Sequence, residues 1–107
     1  MNEEGILLAF GYNTNDATLK QLRAILSRCD FEQTELEKIV ALNDKLKTYG
    51  AYIAMSNSNN YFKIKNESPD KHIREAVREA IFSWSDKNKR KLEKVEGKET
   101  YYITDRF

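Results

Sequence analysis

AYIAMSNSNNYFKIKN, residues 51–66, decides the fold class of this chain. Side chains along a strand point alternately to opposite faces, so apolar residues at every second position mark a half-buried sheet. Ala51, Ile53 and Met55 share one face of the first run, and Tyr52, Ala54 and Ser56 share the other. In the second run Phe62 and Ile64 oppose Tyr61, Lys63 and Lys65. Residues 51–56 and 61–65 are therefore expected to pair as a hairpin around the polar loop NSNN, residues 57–60.

Working outward, TELEKIVALNDKLKTYG precedes the hairpin and carries Leu36, Ile39, Val40 and Leu46 at helical spacing. Thr34 and Glu37 fit a capping box at its start, and Gly50 suits a left-handed turn after its end. Upstream of it, NDATLKQLRAILSRC places Leu19, Leu22, Ile25, Leu26 and Cys29 on one face, with Asn15 or Asp16 as the cap. Two consecutive helices, or one broken near residues 30–34, are expected. The run GILLAFGY, residues 5–12, is short and apolar throughout, and Gly11 closes it, which predicts a buried strand.

After the hairpin, Ser68-Pro69-Asp70 predicts a helix start. Ile73, Ala76, Val77, Ala80, Ile81 and Trp84 then recur at steps of three and four. Residues 86–96 are polar and fit either a longer helix or a short strand over 92–95, and TYYIT, residues 100–104, is rich in strand formers. In this last run Tyr101 and Ile103 are expected to face the core, leaving Tyr102 and Thr104 outward. With the two early helices taken as one crossover, the order is β-α-β-β-α-β. That order predicts an α+β, split βαβ (ferredoxin-like) sandwich. Its antiparallel sheet would carry helices on one face, with an extra helix in the first crossover.

The 107 residues suffice for one domain, expected to span residues 1–107, and not for two. Six basic and eight acidic residues give residues 1–49 a net −2, and twelve basic and nine acidic residues give 50–107 a net +3. The net charge of +1 provides no global field toward polyanions. No apolar run reaches the roughly 20 residues of a membrane span, and the acidic start lacks the basic region of a secretory signal. A cytoplasmic protein without a membrane partner is expected. The lone Cys29 permits no intrachain disulfide.

The residues exclude several chemistries. One histidine, His72, and one cysteine cannot build a histidine- and cysteine-rich zinc site. The four glycines form neither a dinucleotide fingerprint nor a P-loop. Cys29 sits on the apolar face at the end of a helix, where the dipole disfavours a thiolate. No cofactor and no catalytic residue are expected.

What remains is a surface. Tyr52, Tyr61, Lys63, Lys65 and Tyr102 fall on the face of the sheet opposite the core. Lys87, Lys89, Arg90, Lys91 and Lys94 form a basic cluster at its edge. Tyrosines offer apolar area with a polar tip, so the leading expectation is a non-catalytic binding or regulatory module. It would act through contacts with a protein partner or a second copy of itself, a homodimer built on the sheet face or an edge strand. The alternative is a single-stranded nucleic-acid-binding domain, whose tyrosines stack bases while its lysines neutralise phosphates. The glycine- and aromatic-rich signature of the common RNA-binding strands is missing from YFKIKN.

Overall fold

The computed structural model describes residues 2–107. Its elements are α1 (Glu3–Ala9), α2 (Asp16–Cys29), α3 (Gln33–Lys47), β1 (Ala51–Met55), β2 (Phe62–Asn66), α4 (Lys71–Asn88), β3 (Arg90–Lys94) and β4 (Thr100–Arg106). The sheet runs β1-β2-β4-β3, and each neighbouring pair is antiparallel. Two hairpins, separated in sequence by α4, are joined edge to edge through β2 and β4. The fold is α+β, as the periodicities predict. The β-α-β-β-α-β order of a ferredoxin-like sandwich is not what forms, because the first predicted strand is a helix and the segment after α4 adds β3.

The apolar run of residues 5–12 became α1 for reasons that are local. Asn2 Oδ1 accepts from the Gly5 N–H at 2.8 Å, and Glu3 and Glu4 occupy the positive end of the helix. At the other end the Tyr12 N–H donates to the Leu7 carbonyl at 2.9 Å, and the Gly11 N–H donates to that of Leu8 at 3.0 Å. This pair of bonds, with Gly11 at φ +84°, is a Schellman cap. The glycine expected to end a strand ends a helix instead. Ile6 and Leu7 are buried, while Leu8 is 74% exposed.

The remaining helices follow their stripes. Asn15 caps α2 through a reciprocal pair of bonds with Thr18. α3 is capped at Glu32, whose N–H donates to Glu35 Oε1 at 3.2 Å, two residues earlier than the predicted Thr34 box. In α4 the cap is Asp70, which accepts from the His72 and Ile73 amides, and not Ser68, which is buried before the helix. Gly50 has φ +83°, and a Cβ there would touch Ser68, so the turn into β1 favours glycine.

One face of the sheet and all four helices share a single core. Ala51, Ile53, Met55, Phe62, Ile64, Tyr101 and Ile103 meet the helical residues Leu22, Ile25, Ile39, Leu46, Val77 and Ile81. Phe10 and Phe31 lie at ring distances of 5.3 and 5.6 Å from buried Phe62. The alternation read from residues 51–66 holds through β1 and β2, but Ser56, expected on the open face, lies past the end of β1 and is buried. No helix among the described residues is long and apolar enough to cross a membrane.

Candidate surface site on the open sheet face

The face of the sheet turned away from the helices is a grid set by strand register. One row reads Ala54, Lys63, Tyr102, Glu93 across all four strands, and the next reads Tyr52, Lys65, Thr100 across three. Tyr102, Lys63 and Lys65 therefore lie together as alternation predicts, with Tyr52 one strand away. Thr104, expected outward beside Tyr102, is instead buried, and its hydroxyl donates to the Lys91 carbonyl at 3.2 Å.

A cleft of about 260 Å³ lies over this grid. Lys63, Lys65, Thr100 and Tyr102 form its floor. Ser56, Asn57 and Ser58 of the β1–β2 loop wall one end, and Val95 and Lys98 of the β3–β4 turn wall the other. Gly97, at φ +76°, allows that turn and so places Lys98. Three ammonium groups and no carboxylate line the cleft. Lys63 and Lys98 make no ion pair within 4.0 Å among the described residues. Lys65 is 3.5 Å from Glu67 Oε1, which also accepts from the Tyr52 hydroxyl at 2.6 Å. That hydrogen bond is the main cause holding the Glu67 carboxyl below its ordinary value. Hydrogen bonding from Asn59 and Ser56 lowers the Tyr102 hydroxyl, and the charge of Lys63 adds to it.

Tyr61 borders the grid. Its ring lies 5.7 Å from that of Tyr102, tilted by 41°. The Arg28 guanidinium sits 4.7 Å above the Tyr61 ring, and Nη2 donates to the tyrosine oxygen at 2.9 Å. Arg28, Tyr61 and Tyr102 thus form a continuous cationic and aromatic wall beside the lysines.

The predicted basic cluster does not hold together. Arg90 is 1% exposed and faces inward. Its Nε and Nη2 donate to the two Glu35 oxygens at 2.7 and 3.0 Å. Nη1 donates to the carbonyls of Cys29 and Thr104, Nη2 also donates to that of Asp30, and the group stacks 4.2 Å from Phe31. All five guanidinium N–H groups are used. Arg90 is therefore a structural residue and not a surface contact. Lys87 is on α4, Lys89 is its left-handed cap, and Lys94 pairs across from core residue Tyr101. Lys91 is exposed on the edge strand.

Sequence reasoning missed Arg28, Lys98, Thr100 and the serines of the loop. Thr100 was within reach, because it stands two residues before Tyr102 and so shares its face. Arg28 and Lys98 reach the site only through helix placement and turn geometry, which leave no periodic trace. Cys29 is buried, and burial pushes its thiol up to about 11. No group of three His, Cys, Asp or Glu side chains among the described residues is placed to hold a metal ion.

Comparison with known proteins finds no matching family model, no matching curated protein and no matching solved structure.

Proposed function

We propose that this protein is a binding module whose open sheet face takes a single-stranded nucleic acid. The observation that carries the reading is the cleft lined by Lys63, Lys65 and Lys98 without a carboxylate. Phosphodiester groups would enter it, and bases would lie against the wall of Tyr61 and Tyr102. Hydroxyls of Ser56, Ser58 and Thr100 would donate to phosphate or sugar oxygens.

Three features weigh against self-association through this sheet. The large exposed apolar side chains, Leu8, Tyr49, Ile73, Phe82 and Phe107, all lie outside the open-face grid, which leaves a protein partner only the partly buried Tyr52, Tyr61 and Tyr102 as anchors. The free edge of β1 is already capped: the Ile53 N–H donates to Asn43 Oδ1 at 2.8 Å, and the Met55 N–H donates to the Tyr12 hydroxyl at 2.9 Å. The other edge, β3, is charged and bulged between Arg90 and Leu92, which disfavours strand addition.

The test is titration of labelled poly-pyrimidine single strands at several salt concentrations. Three phosphate contacts give a slope of log K against log salt of about −2, and each lysine lost removes about 0.7 of it. Lys63→Ala with Lys98→Ala should flatten the dependence accordingly. Absence of salt-sensitive binding to any single strand, DNA or RNA, ends this reading.

A further inference from the structure

A second cavity lies on the opposite side of the molecule, between α3 and α4. It holds about 470 Å³ and continues into a second hollow of about 240 Å³, the two sharing Lys45 and Ala80. From α3 come Lys38, Ala41, Leu42 and Lys45, and from α4 come Ala80, Ser83, Trp84 and Lys87. The second hollow adds Leu46, Tyr49, Ala76 and Val77. Small side chains at 41, 76, 80 and 83 leave the space between the two helices unfilled, so an open trough remains where larger ridges would interlock. From Ala76 to Lys87, α4 borders it for about 16 Å at 1.5 Å per residue, the length of three helical turns.

Charge selects the occupant. Lys38 and Lys45 stand two turns apart on one bank, and Lys87 stands on the other. No carboxylate lines either hollow. The trough therefore offers an apolar floor and cationic banks.

We infer that the α3–α4 trough binds an amphipathic helix of a partner protein, with its apolar face against Ala41, Ala76, Ala80 and Trp84 and its acidic flanks on Lys38, Lys45 and Lys87. This is recognition by a helix laid in a groove, with anchors spaced i, i+3, i+4 and i+7. It is independent of the sheet face, so one chain carries two surfaces of different chemistry.

Trp84 is the only tryptophan in the chain, so its emission reports the trough. The probes are two 15-residue peptides with leucines at the anchor spacing, one flanked by glutamates and its twin by lysines. The glutamate peptide shifts Trp84 emission to shorter wavelength and binds at least tenfold tighter than its twin. Lys38→Glu with Lys45→Glu, both at exposed positions, reverses that preference, and Ala80→Glu abolishes binding by filling the floor with charge. Equal binding of the twins, or no emission change up to millimolar peptide, overturns the inference. So does a shift produced by phosphatidylserine vesicles and not by the peptides, which would make the trough a lipid contact. Far-ultraviolet circular dichroism of each variant separates loss of the trough from loss of the fold.

Discussion

Replacing Arg90 by methionine tests the packing logic most sharply. The substitution keeps roughly the aliphatic volume and removes five donors at once. Glu35, with a side chain 17% exposed, keeps Arg106, whose Nη2 donates to Oε1 at 2.6 Å, and the Glu32 N–H at 3.2 Å. The carbonyls of Cys29, Asp30 and Thr104 lose a donor each. Cys29 and Asp30 end α2, so the guanidinium also closes that helix from the far side of the fold. Breaking a buried pair by deleting one partner costs about 3–5 kcal/mol. For a domain near this size each kcal/mol lowers Tm by about 4–8 °C, so the fall should be about 12 °C or more. The expected result in urea unfolding, followed by circular dichroism and Trp84 fluorescence, is a lower midpoint with an unchanged slope. Glu35→Gln alone should cost less, and the double variant should fall short of the sum by at least about 1 kcal/mol, since the two groups act together. It should still be less stable than the parent, because the Cys29 and Thr104 carbonyls lose the guanidinium and that of Asp30 keeps only Arg106. A loss under about 1 kcal/mol for Arg90→Met, or strict additivity, would refute the reasoning.

The same cluster predicts an acid limb. Burial alone would raise the Glu35 carboxyl, but its hydrogen bonds to Arg90 and Arg106 outweigh burial and hold it at about 2 against an ordinary 4.5. The folded state thus binds this proton more weakly than the unfolded chain does. The stability it contributes, about 3 kcal/mol, is fully present above about pH 5 and is lost as pH falls toward 2. In Glu35→Gln, urea midpoints between pH 5 and 2 should decline less steeply, and parallel pH profiles would exclude the assignment. Gly11→Ala should destabilise by about 1 kcal/mol in thermal melts, because φ +84° strains any residue with a Cβ although nothing lies within 4 Å to collide with it. Tyr12→Phe should cost about 1–3 kcal/mol by leaving the Met55 N–H without its acceptor at the sheet edge. Cys29 should resist alkylation at pH 8 in the native protein and react promptly in urea; rapid native labelling would contradict its burial and its pKa near 11.

Much of this architecture was legible in the order of residues. The stripes of α2, α3 and α4 and the alternation of β1 and β2 are local repeats, and a local repeat tells which side of an element is apolar before anything packs against it. That is why Tyr52, Lys63, Lys65 and Tyr102 were placed correctly on the open face. Residues 5–12 had no repeat to read. A short run apolar at every position suits a buried strand or a helix equally, and the Asn2 cap and the Gly11 turn decided for the helix. The basic stretch 87–94 was misread for a different reason. Composition counts charges without saying where they point. Arg90 turned inward because Glu35 and three carbonyls, 14 to 61 residues away in sequence, converge on it in space. The lysine-lined cleft and the α3–α4 trough likewise exist only once distant segments meet. Periodicity assigns faces from neighbours along the chain, whereas cavities and buried ion clusters belong to contacts between parts that only the folded chain brings together.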